Sequence, residues 1–159
     1  MQQKMRSRSW VRVADTQETT ELLLPGSGRK HALIIEDEEL IAASIEDALR
    51  ELGFTSFGVA RTEQEAVFFA DHQEPDLVTV DETLEEGSGV DAILCICASR
   101  PIPVIVITGN PFGITLPGVV TLGKPFNAAA FSAAYEQARA KPFHSRSAAM
   151  SHAGPQSSE

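Results

Sequence analysis

The sequence predicts an α/β fold in which one doubly wound sheet of five parallel strands carries helices on both faces. Five apolar segments of strand length alternate along the chain with segments whose apolar residues recur at helical spacing. The apolar segments are continuous rather than interrupted by polar residues, which is typical of parallel strands covered on both faces. Ligands of such sheets bind beyond the carboxyl ends of the strands, so the residues that follow each strand are the first candidates for function.

The elements follow one another closely between residues 31 and 140. We expect strands at 32–36, 54–59, 76–80, 103–107 and 119–122, and helices at 38–52, 62–73, 90–99 and 128 to about 138. Gly53 stands where a left-handed residue commonly ends a helix, and Thr62 with Glu65 forms a capping box at the start of the second helix. The buried face of the first helix is expected to consist of Leu40, Ile41, Ile45, Ala48, Leu49 and Leu52.

The 159 residues suit one domain with an extension at each end. A Pro-Gly-Ser-Gly run at 25–28 marks a linker just before the first strand, so residues 1–30 are predicted to be an N-terminal extension and linker. Residues 31–140 form the predicted domain. Residues 141–159 are predicted to be a disordered tail, because they are rich in Ser, His, Ala, Gly and Pro and lack apolar periodicity.

Charge and composition exclude several classes of function. The net charge is −9, and the segment 31–126 holds 17 Asp and Glu against four Lys and Arg. A domain this acidic repels nucleic acid and favours a divalent cation or a basic partner. No apolar run approaches the ~18 residues that span a bilayer, and the N-terminus lacks a secretory signal, so we expect a cytoplasmic protein without membrane contact. Cys95 and Cys97 have the spacing of neither a redox pair nor a zinc site and are expected to be buried thiols.

Four strand ends bring reactive side chains to one rim of the predicted sheet. Glu36 and Asp37 follow the first strand, Asp81 the third and Thr108 the fourth, while the fifth strand leads into Lys124. Carboxylates that converge in this way repel one another and require a cation, and oxygen-only ligands suit Mg²⁺. A lysine beside them can neutralise an incoming phosphoryl group.

Four stretches in this order resemble the response-regulator receiver family, the CheY-like domains. They are ALIIEDEEL, PDLVTVDETLEEGSGVDA, PVIVITG and GKPF, and the resemblance extends from residue 32 to about 138. It implies a flavodoxin-like strand order, 2-1-3-4-5. It also implies a phosphoacceptor signalling domain rather than an enzyme, with no activity beyond its own phosphorylation and dephosphorylation.

The resemblance assigns a role to each residue of the rim. Asp81 would be the phosphoacceptor, Asp37 would ligate Mg²⁺ directly, and Glu36 would do so directly or through water. The backbone carbonyl of Thr83 would be a further metal ligand beside Asp81.

Two more residues would bind the phosphoryl group itself. Thr108 would donate its hydroxyl to one phosphoryl oxygen and Lys124 would pair with another. The peptide bond before Pro125 would be cis.

The sequence departs from the family's pattern at three places. Only 16 positions separate Thr108 from Lys124, and the prolines and glycines between them break helices, so the fourth helix should be short or absent. Thr121 stands where most receivers have an aromatic switch residue, which makes that switch doubtful. Glu85 stands where a proline is common.

With its short fourth helix and its TG pair after the fourth strand, the chain is similar to receivers of the alphaproteobacterial general-stress-response type. This implies a single-domain regulator in a two-component phosphorelay, acting as a shuttle, sink or feedback regulator. Its partners would be a histidine kinase of the HWE kind and a histidine phosphotransferase or downstream regulator. Because the fourth helix is reduced, we expect partners to contact the first helix, at 40–50, with the 108–124 loop as a second candidate surface.

Three alternative functions are a pseudo-receiver, a phosphatase and a transcription factor. A pseudo-receiver would keep the fold as a binding module and never be phosphorylated. A phosphatase of the haloacid-dehalogenase type needs a second acid two residues after its nucleophile, where this chain has Thr83. A transcription factor would need a helix-turn-helix after Ala138, and none is predicted.

Overall fold

The computed structural model describes residues 28–110, 112 and 116–146. Four helices and five strands follow one another in the predicted order, and their bounds differ from those predicted by at most three residues. The strands are β1 (His31–Ile35), β2 (Ser56–Ala60), β3 (Leu77–Asp81), β4 (Val104–Thr108) and β5 (Val120–Gly123). The helices are α1 (Glu39–Glu51), α2 (Glu63–His72), α3 (Gly89–Ile96) and α4 (Ala128–Ala140).

All neighbouring strands are parallel, in the order β2-β1-β3-β4-β5. The predicted fold class and strand order are therefore confirmed. β4 and β5 follow each other directly, with no helix among the described residues between them. A fourth helix of the usual length is thus absent from the described part of this connection, in agreement with its prolines and glycines.

Helices α1 and α4 cover one face of the sheet. Ile45 and Leu49 of α1 pack against Phe131 and Tyr135 of α4, and the ring of Phe54 meets that of Tyr135 edge to face at 5.5 Å. One prediction for this face was wrong, because Leu40 is 86% exposed. It lies in the first turn of α1, at the carboxyl end of the sheet.

The opposite face is covered by α2, α3 and an irregular segment. Thr62 caps α2 by accepting from the backbone N–H of Glu65, while the Glu65 carboxylate accepts from the N–H of Arg61 rather than from Thr62 itself. Cys97 is buried on this face but Cys95 is exposed, which corrects the prediction of two buried thiols. In the described part of the chain, no helix is long and apolar enough to cross a membrane.

The beginning of the predicted tail is ordered, which moves the predicted boundary at residue 140. Phe143 is 4% exposed and joins the core of the α2/α3 face. Its backbone exchanges two hydrogen bonds with Ile102, of 2.9 and 2.8 Å, and the Ser145 N–H donates to the Cys97 carbonyl. The chain therefore crosses from α4 to the other face and places an aromatic ring near Gly118, at the start of β5. The predicted extension up to residue 27 and the tail from 147 lie outside the described residues.

Candidate functional site

Three carboxylates meet at the carboxyl ends of β1 and β3. Glu36 and Asp37 follow β1, and Asp81 is the last residue of β3. One oxygen from each lies within 4.8 Å of the others. Glu36 is 1% exposed and Asp81 8% exposed, so two of the three acids are buried. The structure thus brings together the acids that the strand ends predicted.

One ammonium serves both buried carboxylates. Lys124 follows β5, and its Nζ lies 3.4 Å from Glu36 Oε2 and 3.4 Å from Asp81 Oδ2. Burial raises the pKa of Glu36 to about 7, and the charge of Asp81 adds to the rise that Lys124 opposes. Burial alone would lower the pKa of Lys124, but the carboxylates of Asp81 and Glu36 raise it. Lys124 therefore stays charged while the acids compete for it.

The backbone of the loop after β3 is hydrogen-bonded to two of the same acids. The Asp81 carboxylate accepts from the backbone N–H of Thr83 at 3.2 Å, and the Asp37 carboxylate accepts from that of Glu85 at 2.9 Å. Thr83 thus lies beside the acids, while the ligand role of its carbonyl stays a prediction. Gly89 allows α3 to begin directly beneath Asp81, since a Cβ there would stand 2.2 Å from the Asp81 carbonyl oxygen.

Thr108 ends β4 and is buried, but its hydroxyl bonds outside the carboxylate cluster. It donates to Glu82 Oε2 at 2.7 Å and accepts from the backbone N–H of Asn110 at 3.0 Å. The sequence analysis missed Glu82, although an acid directly after Asp81 was a visible signal. The peptide bond between Lys124 and Pro125 is cis, the isomer that the resemblance implies.

The donor set fits a hard divalent cation. It consists only of carboxylate oxygens, which are the ligands that Mg²⁺ prefers. Two of the three acids share the Lys124 ammonium, and burial raises the pKa of Glu36 although Lys124 lowers it. A cation at this cluster would supply the missing positive charge.

Comparisons with known proteins agree with this geometry. The model of the response regulator receiver domain matches residues 32–116, just over half of the chain. The phyllosphere-induced regulator PhyR of Methylorubrum extorquens is 40% identical over 112 residues, which are 67% of this chain and 42% of that protein. The chain thus spans less than half the length of this relative.

Two solved structures extend the likeness. The response regulator PhyR of Brucella abortus is 35% identical with a TM-score of 0.65, over 79% of this chain and 53% of that one. A response regulator from Burkholderia pseudomallei, solved with a phosphorylated aspartic acid, a calcium ion and citrate, is 28% identical with a TM-score of 0.60. That likeness covers 67% of this chain and 66% of the other. With its parallel sheet and the acids at its strand ends, the chain belongs to the response regulator receiver family.

Proposed function

We propose that this chain acts as a response-regulator receiver in a two-component phosphorelay and accepts a phosphoryl group from a histidine kinase on Asp81. One observation carries the proposal: Asp81 shares a buried cluster with Glu36 and Asp37 and has the Lys124 ammonium 3.4 Å from its Oδ2. A carboxylate is a modest nucleophile, so its surroundings must stabilise the charge of the phosphoryl oxygens. The described rim contains groups suited to that task.

In the transfer, an Asp81 carboxylate oxygen forms the new P–O bond while the P–N bond to the kinase histidine breaks. Lys124 would pair with one phosphoryl oxygen, and Thr108 would donate its hydroxyl to another. Mg²⁺, held by Glu36, Asp37, Asp81 and the Thr83 carbonyl, would supply positive charge to the remaining oxygens. The Burkholderia structure supports this role, because its aspartic acid is phosphorylated and a calcium ion is present.

The acceptor is tested with small reagents. Acetyl phosphate, or beryllofluoride as a phosphoryl mimic, is added with Mg²⁺ to wild type, to Asp81→Asn and to Asp71→Asn, an exposed acid on α2. We expect modification of wild type and Asp71→Asn and none of Asp81→Asn, by intact mass and by NMR. Modification of Asp81→Asn at the wild-type level would show that another residue is the acceptor. A wild type that binds neither Mg²⁺ nor beryllofluoride would identify a pseudo-receiver.

The kinase is proposed to dock beside the acceptor, on the first turns of α1. Leu40 is 86% exposed there. An open cavity of about 370 Å³ also borders α1 and is lined by Ile41, Ser44, Lys124, Pro125 and Phe126. A partner's apolar residue seated in this cavity would approach Lys124 and hence the acceptor. The proposed occupant is the helix that carries the phosphohistidine of the kinase or of a phosphotransferase.

This surface is tested by Leu40→Asp, with Phe68→Asp on α2, an aromatic that is 56% exposed, as the control. We expect Leu40→Asp to slow phosphotransfer from the cognate kinase at least tenfold, the effect of about 1.4 kcal/mol, and to leave labelling by acetyl phosphate unchanged. Charge reversals at Glu46, Asp47 and Arg50 should act in the same direction. Equal phosphotransfer to both Asp variants would place the docking surface elsewhere.

A further inference from the structure

The Thr108 hydroxyl has its hydrogen-bonding capacity in use. Its one proton is donated to Glu82 Oε2 at 2.7 Å, and it accepts from the Asn110 N–H at 3.0 Å. The side chain is 3% exposed, so water does not compete freely for it. The Asn110 carbonyl oxygen is a second possible acceptor at 3.2 Å, but Glu82 Oε2 is closer by 0.5 Å and ionisable. A hydroxyl has a single proton, so the proton that bonds Glu82 is the one that the proposed phosphoryl group needs.

The sheet register explains why Glu82 reaches this hydroxyl. Asp81 is paired with Ile107 in the parallel ladder between β3 and β4. The backbone N–H of Glu82 continues the ladder by donating to the Ile107 carbonyl at 3.3 Å. One step further along this register places Glu82 beside Thr108, and neighbours in register on parallel strands point to the same side of a sheet. The contact thus follows from the backbone pairing.

A carboxylate acceptor makes this hydrogen bond a strong one. Bonds between a hydroxyl and an ionised carboxylate are about twice as strong as bonds between neutral groups, and 2.7 Å is a favourable distance for a hydroxyl hydrogen bond. A phosphoryl oxygen on Asp81 would have to compete with it.

We propose that Glu82 is a positioning residue, which holds the Thr108 hydroxyl away from the acceptor until a phosphoryl group on Asp81 takes over its proton. The inference rests on the proposed phosphorylation of Asp81 and adds a residue that regulates it. Donation to Glu82 and donation to a phosphoryl oxygen exclude each other, so the exchange is a two-state switch. Thr121 of β5 offers no aromatic ring for this purpose.

Hydrogen bonds connect the Thr108 hydroxyl to an exposed residue, Phe112. Asn110 donates its N–H to the Thr108 hydroxyl, and its side-chain oxygen accepts from the N–H of Phe112 at 3.1 Å. Phe112 is 95% exposed. A reorientation of the Thr108 hydroxyl would therefore disturb a chain of hydrogen bonds that ends at an exposed aromatic residue.

The test is a double-mutant cycle read by beryllofluoride affinity in saturating Mg²⁺. Glu82→Ala removes the acceptor, whereas Glu82→Gln removes the charge but keeps an acceptor oxygen. Each is made with Thr108 and with Thr108→Val, and Glu86→Ala, an exposed acid of the same loop, controls for loss of charge. We expect Glu82→Ala to bind beryllofluoride on the order of tenfold more tightly, from loss of one competing charge-assisted hydrogen bond. Glu82→Gln should lie between wild type and Glu82→Ala, because its amide oxygen still accepts but more weakly than a carboxylate. With Thr108→Val the effect of Glu82→Ala should vanish.

Two results would overturn the proposal. One is an unchanged or weaker affinity of Glu82→Ala. The other is an equal gain in Glu82→Gln that persists with Thr108→Val, because Glu82 would then act by repelling the anion and not through the hydroxyl.

A metal-free measurement separates this inference from the proposed function. The amide NMR signal of Asn110 should shift in Glu82→Ala and stay near its wild-type position in Glu82→Gln, with no donor or metal present. If wild type binds no beryllofluoride, the phosphorylation of Asp81 and the exchange fail together. The Asn110 signal still tests whether Glu82 accepts the hydrogen bond from Thr108. An unshifted signal in Glu82→Ala would refute that hydrogen bond.

Discussion

At the carboxyl ends of the strands, Glu36 and Asp81 are buried beside a single ammonium, whereas the amino ends bury the aromatic ring of Phe143 and the hydrogen-bonded His31. There Phe143 packs into the core and pairs its backbone with Ile102. His31 donates its N–H to the Asp76 carboxylate at 2.8 Å, and its ring lies 2.9 Å from the Ser56 hydroxyl. Both ends exclude water, but at the carboxyl end two buried acids share one ammonium.

The difference shows where the domain gains and loses stability. Removing carboxylates from water costs free energy, which one ammonium offsets in part. The same burial raises the pKa of Glu36. Burying an aromatic ring contributes free energy in proportion to its apolar area. The amino end therefore stabilises the fold, while the carboxyl end concentrates the charge that a metal and a phosphoryl group would use.

The largest effect is expected at the amino end. Phe143→Ala should lower the free energy of unfolding by about 3–5 kcal/mol, as for other buried Phe side chains, and Phe131→Ala on the opposite face should cost a similar amount. Phe112→Ala is the matched control, because its ring is 95% exposed and its loss should change stability by no more than about 0.5 kcal/mol. Denaturant unfolding gives all three values. Equal stabilities of Phe143→Ala and Phe112→Ala would mean that the segment after α4 does not belong to the core.

The next effect belongs to the carboxyl end. Mg²⁺ should bind the folded acids and stabilise wild type by about 2.7 kcal/mol at a hundredfold excess over its Kd. Asp37→Ala should lose most of this gain, whereas Asp71→Ala, on the exposed side of α2, should keep it. Thermal melts with and without Mg²⁺ measure both. A full response in Asp37→Ala would remove Asp37 from the metal site.

The two ends should respond to pH with opposite signs in metal-free protein. The pKa of Glu36 is raised by burial from 4.5 to about 7, so the free energy of unfolding falls as the pH rises between these values. Burial lowers the pKa of His31 below 6.5, so its contribution falls as the pH drops below that value. Relative to wild type, Glu36→Gln should gain stability towards neutral pH and His31→Asn towards acid pH. Denaturant titrations across this range test both signs, and curves parallel to wild type would refute them.

The smallest effect lies between the ends. Thr79 of β3 is fully buried, and its hydroxyl has no hydrogen-bond partner among the residues that the structure describes. Thr79→Val keeps the shape and removes the unpaired hydroxyl, so it should stabilise the fold by about 1 kcal/mol with the Mg²⁺ response unchanged. Thr55→Val, at an exposed position, is the control. A destabilised Thr79→Val would indicate that the hydroxyl is bonded after all.

The sequence by itself determined the fold class, the strand order and the acids of the site. Strands buried on both faces must be apolar throughout, so the first charged residue in the sequence marks the end of such a strand. Glu36 and Asp81 were identified in this way. Parallel topology then brings those ends to one rim. The exposure of Leu40 could not be predicted in this way. Helical periodicity does not show that the first turn of α1 makes few contacts with the neighbouring elements.

Only the tertiary structure decided the position of Phe143 and the contact between Glu82 and Thr108. Phe143 pairs with Ile102 across a large sequence separation, and a lone aromatic in an aperiodic segment gives no local signal of burial. Glu82 and Thr108 meet because of the register between β3 and β4, which is a property of two strands and not of either sequence. Local patterns reveal which residues must leave water, whereas the partners of those residues are chosen by packing and by strand register.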